Sequence, residues 1–219
     1  MRYGRVNFEY ASDMGTREPS LDGPIFMVNL MKYRAHADYR GEVDTAETIS
    51  GKEADDRYAP VDVLEKIGAT VAFFGDVVQQ SSVDEWDRVG IVRYPSRRSF
   101  IEMQSRRDFQ EKHVHKEAGM DYTICLGALP KLGTPTRSQF CTLHLTASEQ
   151  GLAMNDAQAL FSVEGTVLGD GRVWTDLSMT WSSEIPSVLA SDRGGDVITV
   201  VVKPSIDRFS KMLGGPSEG

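Results

Sequence analysis

Trp86-Asp87-Arg88-Val89-Gly90-Ile91-Val92-Arg93-Tyr94-Pro95-Ser96 is the stretch on which the fold turns. Its apolar and β-branched residues predict a strand from Trp86 to Tyr94. The strand stops at Pro95, which lacks the amide a ladder needs, and Ser96 behind it is a good helix N-cap. A helix is therefore predicted from Ser96 to about Ala118, ended by Gly119.

Upstream, the apolar run Ile25 to Tyr33 behind Pro24 reads as a buried strand, followed by a polar loop from Ala35 to Lys52. Glu53 to Ile67 carries Tyr58, Val61 and Leu64 at helical spacing, and Gly68 closes that helix. Ala69 to Val78 is a second strand, Ser81 to Asp84 a turn, and Asp121 to Leu126 a fourth strand. The order β-α-β-β-α-β is that of a ferredoxin-like unit, whose sheet has both helices on one face. The other face stays apolar and exposed unless a second unit covers it.

The same chain supplies a second unit. Pro-Ser-x-x-x-Phe-x-x-Met occurs at Pro95 and again at Pro204, each time behind an apolar strand and half a chain length apart. Gln139 to Leu145 then matches the first strand, Asp156 to Leu168 a helix, and Gly171 to Trp181 the next strand. The predicted fold class is α+β: tandem ferredoxin-like units forming an intrachain, pseudo-dimeric α+β barrel around a small-molecule pocket. Residues 1–24 are an N-terminal extension, 25–130 the first unit, 131–138 a linker and 139–219 a degenerate second unit. That second unit ends too early for a long last helix and a final strand, so the site is expected to lie mainly in the first.

Composition narrows the function. With 32 acidic against 24 basic residues the net charge is -8, which repels phosphate backbones and anionic membranes. Arg97, Arg98, Arg106 and Arg107 alternate with Glu102, Asp108 and Glu111, the pattern of a solvated helix face. No run approaches a signal core or a membrane span, so a cytoplasmic protein is expected, acting as a monomer or a homodimer. Cys125 and Cys141 are isolated in apolar stretches and are expected to be free, buried thiols. No dinucleotide fingerprint, phosphate loop or nucleophile elbow occurs, and the His and carboxylate spacing makes no metal site; cofactor-independent chemistry is the expectation.

Among candidate site residues, Asn29 and Tyr33 share a strand face with Met27 and Met31, which suits a pocket lining; a rim position is the alternative. His113 and His115 are the best acid-base groups, but on a helix they point roughly 200° apart. His144, between Leu143 and Leu145, reads as a structural group. Glu85, Trp86 and Asp87 open a strand, where Trp86 can cover the barrel mouth and a carboxylate act as base. Arg57 and Arg93 can bind a substrate carboxylate, or pair with Asp55, Asp56 or Asp87.

Met27-Val28-Asn29-Leu30, Arg57-Tyr58, Glu85-Trp86-Asp87, Arg93-Tyr94-Pro95-Ser96 and His115-Lys116-Glu117-Ala118-Gly119-Met120 together resemble the bacterial family known as domain of unknown function 1330, in the dimeric α+β barrel superfamily. The resemblance spans residues 26–129, with Lys116 standing where the family pattern has arginine. It implies a pocket in the barrel, with His115 at its end and Tyr58 among the substrate contacts. Its superfamily includes cofactor-free monooxygenases, lactone isomerases, polyketide cyclases and some haem enzymes, so it leaves the chemistry open.

The expected function is a cofactor-independent isomerase, cyclase or lyase acting by acid-base chemistry on a small, partly apolar carbonyl compound or acid. His115, Asn29 and Glu85 are its catalytic candidates, and Tyr33, Tyr58, Arg57, Trp86 and Arg93 its substrate contacts. A non-catalytic small-molecule binding protein is the alternative, and a cofactor-free or haem-dependent monooxygenase the second.

Overall fold

A computed structural model describes residues 4–40, 48–81, 85–147, 156–187 and 194–213. Residues 82–84 of the expected turn, 41–47 of the long polar loop and the Gly214-Gly215 tail lie outside them.

The first half follows the predicted order. Strand β1 (Arg5–Val6) and helix α1 (Phe8–Thr16) precede β2 (Ile25–Tyr33); α2 (Gly51–Tyr58), α3 (Val61–Lys66), β3 (Thr70–Ser81), β4 (Arg88–Tyr94), α4 (Arg97–Gln104), α5 (Arg107–Gly119) and β5 (Met120–Gly133) follow. Each predicted helix is two helices. Pro60 parts α2 from α3, because it has no amide to donate and biases Ala59 away from the helical region. Helix α4 ends at Ser105, whose N–H bonds back to Glu102 and Met103, and α5 restarts at Arg107. As predicted, the Ser96 hydroxyl caps α4, accepting from the Ser99 N–H.

The second half is β6 (Phe140–Thr146), β7 (Ala159–Gly169), β8 (Asp176–Ser182), β9 (Val197–Asp207) and the short α6 (Phe209–Leu213). Three expectations fail here. Asp156 to Leu168 forms no helix: Ala159, Phe161, Val163, Gly165 and Val167 alternate at the strand period of two, and β7 results. The final strand is present as β9. Pro204 and Ser205 lie inside β9 and cap nothing, so the echo with Pro95-Ser96 joins strands that are not equivalent. Strand β5 also continues through Pro130 to Gly133, pairing with β7 where a linker was expected.

The sheet runs β1-β7-β5-β2-β4-β3-β9-β6-β8, and pairing of β7 with β8 closes eight strands into an antiparallel barrel. Numbered within each half, both halves have the order 4-1-3-2, β5-β2-β4-β3 and β9-β6-β8-β7. This is the α+β barrel built from tandem ferredoxin-like units. The seams between halves are β3 with β9 and β5 with β7.

Alternation along the strands sorts the side chains. Phe26, Val28 and Leu30 face the interior with Val89, Ile91, Ile124 and Leu126, meeting Leu143, Phe161, Met179 and Val200 from the second half. Phe26, Phe73, Phe161, Trp181 and Phe209 interlock at one end. Apolar side chains thus occupy the barrel interior that was expected to hold the pocket. Ile25 and Met27, of the opposite parity, pack outward with Val63, Phe100 and Phe109 on the helices. Helices α2 and α5 cross backbone to backbone at Gly51 and Gly119, where a Cβ on Gly51 would stand 2.3 Å from the Gly119 carbonyl oxygen. Cys125 and Cys141 are free and buried. Among the described residues no helix is long and apolar enough to cross a membrane.

Candidate functional site

Because Phe26, Val28 and Leu30 point inward, Asn29 and Tyr33 point outward under α2 and α5, away from the interior where the pocket was expected. The candidate site is this helix-covered face of β3, β4, β2 and β5. Asn29 pairs across to Gly90 on β4 and Cys125 on β5, Met31 to Arg88 and Thr123.

One flank of this face is an ion cluster. Arg88 is buried, its side chain 4% exposed; Nε donates to Asp76 Oδ1 at 2.8 Å, and Nη1 to Asp56 Oδ1 at 2.8 Å and Asp55 Oδ2 at 3.1 Å. The guanidinium lies 4.8 Å from the Phe74 ring centroid and 5.4 Å from that of Tyr33. The Tyr33 hydroxyl donates to Asp55 Oδ2 at 2.5 Å, and Lys52 stands 3.5 Å from Asp76. Burial, then the Asp55 charge, holds the Tyr33 phenol well above its ordinary range, so it stays a donor. Burial works against charge on Arg88, but the Asp76 and Asp56 carboxylates outweigh it. Three carboxylates face two cations here, so both cations are matched and neither is free for a substrate anion. The cluster serves to pin α2 to the sheet.

On the other flank, among the described residues, Asn29 and Lys116 have no carboxylate partner, while Glu117 Oε1 lies 3.9 Å from His113 Nδ1. The half-buried Asn29 carboxamide makes no hydrogen bond among the described residues. Lys116 on α5 is half-buried and has no carboxylate partner among them; its ammonium lies 5.3 Å from the Tyr58 ring centroid. Burial pushes the thiol of Cys125, the neighbour of Asn29 on β5, up to about 11, with the Lys116 charge opposing. His113 stacks on Phe109 at 5.0 Å and meets Tyr58 edge-on at 6.0 Å. Burial, helped by Lys116, pushes His113 down to about 4, so its imidazole is neutral at pH 7.

The other expected site residues sit elsewhere. His115 lies on a different flank of α5, its Nδ1 2.9 Å from the Tyr39 hydroxyl, beside a water-sized hollow of about 20 Å³ between Asp38–Arg40 and α5. Burial and the nearby Arg57 charge lower its pKa. Glu85 is a surface residue, its side chain 79% exposed and paired with Lys32 at 3.3 Å. Trp86 is sealed in the barrel interior, where an aromatic lid on an open mouth was expected. Arg93 falls on the interior side of β4 with Val89 and Ile91, away from Asn29. Arg57 is exposed on α2, and Asp55 and Asp56 pair with Arg88 instead of Arg57 or Arg93. His144 bonds Thr199 at 2.8 Å, as a structural histidine does. Sequence reasoning passed over Arg88 and Asp76, because a charge inside a strand shows its burial only once a helix is laid over it. Among the described residues no three His, Cys, Asp or Glu side chains converge as a metal site.

No family model matches the chain, and no curated protein matches it. Among solved structures it is similar to a protein of unknown function from Rhodopseudomonas palustris, 24% identical, covering 58% of this chain and 95% of that one with a TM-score of 0.46. It is also similar to a mutant chlorite dismutase from Candidatus Nitrospira defluvii in complex with cyanide, 8% identical over 93% of this chain and 97% of that one, TM-score 0.46. A Fusobacterium nucleatum protein provisionally named a monooxygenase is 10% identical over 84% of this chain and 94% of that one, TM-score 0.42. At these values no residue role passes from any of them to this chain.

Proposed function

We propose that the chain is a cofactor-independent enzyme that moves a proton at the carbon next to the carbonyl of a small organic acid, on the helix-covered face of its first half. The observation that carries this reading is a trio on one half-buried surface: a carboxamide with no hydrogen bond and an ammonium with no carboxylate partner among the described residues, and a neutral imidazole. Lys116 pairs with the substrate carboxylate, and Asn29 donates to the carbonyl oxygen as it gains enolate charge. Neutral His113 takes the proton from the adjacent carbon and returns it to a carbon of the same substrate, so the net reaction is an isomerisation and no co-reactant is consumed. Burial beside Lys116 makes His113 a weak base but keeps it unprotonated, and the same lysine stabilises the negative charge that develops. Every contributing residue comes from the first half, so a second copy of the chain is not needed to complete the site.

Exchange of α-protons of 2-oxo and 3-oxo acids in D2O, followed by proton NMR, tests the proposal without knowing the natural substrate. The wild type should accelerate exchange of at least one acid over buffer. His113→Gln should slow it by ~100-fold or more. Lys116→Gln should raise half-saturation with little change at saturation. No acceleration with any acid overturns the enzyme reading, and saturable binding without exchange leaves a small-molecule binding protein in its place.

A further inference from the structure

A second set of unsatisfied groups lies at the barrel end opposite Phe209, independent of the proton-transfer site. The antiparallel register gathers the ends of several strands there. Arg88 at the start of β4 and Thr123 near the start of β5 both face Met31, and Leu168 near the end of β7 faces Cys125. Asp176 at the start of β8 faces Thr146 at the end of β6. Trp86 precedes β4, Tyr122 lies near the start of β5, and Trp174 precedes β8, so all three aromatic side chains close this end over the apolar interior.

Trp86 is 1% exposed and Trp174 3%. Neither indole N–H meets an acceptor in hydrogen-bonding geometry among the described residues, whereas the Tyr122 hydroxyl stands beside the Asp170 carboxylate, which adds to burial in raising its pKa. The three are linked: Trp86 and Tyr122 have ring centroids 5.4 Å apart, Tyr122 lies within the electrostatic reach of Asp170 and Arg172, and the Arg172 guanidinium is 4.7 Å from the Trp174 ring centroid. An indole N–H can only donate. Buried polar groups are nearly always paired, and two unpaired donor-only groups at one closed end are a conspicuous departure from that rule. The third tryptophan shows the ordinary case, since Trp181 Nε1 donates to Asp207 Oδ2 at 2.7 Å at the far end.

We infer that this end of the barrel is a second binding site, taking the carbonyl or carboxylate oxygen of a small molecule at the Trp86 and Trp174 N–H groups, beside Tyr122. The two indoles can only donate, which selects a ligand with an acceptor group. The nearby charges cancel, because Asp170 accepts from Arg172 Nε at 2.6 Å. The guanidinium that covers Trp174 also donates to the Gly195 carbonyl at 2.8 Å, which ties the 170–175 connection to the start of β9 over the same end.

The chain has three tryptophans, so its indole N–H groups give three resolvable proton–nitrogen signals, and Trp181→Phe assigns the one outside the site. Titration of the full chain with acetamide and, separately, with formate at constant ionic strength distinguishes a carbonyl from a carboxylate ligand. The Trp86 and Trp174 signals should shift saturably with at least one probe while Trp181 stays fixed. Trp174→Phe should weaken the remaining Trp86 response by ~tenfold or more. If neither signal saturates with either probe, if all three drift together in proportion to concentration, or if Trp174→Phe leaves the Trp86 response unchanged, the inference is overturned. Failure here leaves the proton-exchange assay untouched, since that assay reads Asn29, His113 and Lys116.

Discussion

Replacing Arg88 by methionine tests whether the ion cluster holds the site together. Of its three carboxylate partners only Asp55 is buried, with a side chain 5% exposed; Asp56 and Asp76 are about half exposed, and solvent recovers most of what they lose. The cost is therefore set by Asp55, left charged under α2 without its cation. Breaking such a pair costs ~3–5 kcal/mol, and the retained Tyr33 hydroxyl argues for the lower end. In a chain of this size ~3 kcal/mol corresponds to a fall in Tm of ~6–12 °C. Adding Asp55→Asn should recover part of the loss, because the orphaned charge is gone, with a coupling energy of ~1–3 kcal/mol. Urea unfolding followed by circular dichroism at pH 7 gives all four corners of the cycle. A cost under ~1 kcal/mol for Arg88→Met, or a double variant equal to the sum of the singles, would refute the claim that this pair fastens α2 to the sheet.

Three further outcomes follow from other contacts. His113 has a folded pKa of about 4, below its ordinary 6.5, so the unfolded chain binds the extra proton between those values. Stability should fall by ~3 kcal/mol as pH drops through that window, and His113→Phe should flatten the slope in urea titrations at each pH. Glu164 accepts from Tyr10, Arg17 and the buried Arg97; burial opposes its charge, but Arg97, Tyr10 and Arg17 outweigh it and hold the carboxyl at about 2. Its contribution is full above the ordinary 4.5 and lost as pH falls toward 2, and Glu164→Gln at neutral pH should cost ~3 kcal/mol and speed proteolysis of α1. The Tyr10 ring lies 2.8 Å from where a Gly165 Cβ would stand, so Gly165→Ala should displace α1 and destabilise by ~1–3 kcal/mol, read by thermal unfolding. An unchanged Tm would show that α1 yields without cost.

Local chemistry made the first half legible. The run Ile25 to Tyr33, the Pro95-Ser96 junction and the Gly119 stop each have a physical meaning within a few residues, and β2, β4 and the ends of α4 and α5 follow from them. The need to cover an apolar sheet face gave the second unit, and hence the barrel, before any coordinates. Where local and long-range forces compete, sequence reading failed. Residues 159–169 already alternate at the strand period, which the helix reading overlooked, and closure of the barrel between β5 and β8 uses that alternation; Pro204-Ser205 ran on as strand because β3 was there to pair with them.

The candidate site divides the same way. Sequence alone marked Asn29 and His113 as polar or titratable groups in structured segments, and parity placed Asn29 and Tyr33 on one face. It could not say which face, since a strand shows its alternation without showing which side meets the helices. Nor could it show that Arg88 meets Asp76 across the β3–β4 ladder and Asp55 from α2, or that Glu85 stands in water while Trp86 is sealed inside. Residue type and spacing determined the elements and the barrel; burial and partnership, on which charge, proton affinity and hydrogen-bonding capacity depend, were decided only when distant segments packed together.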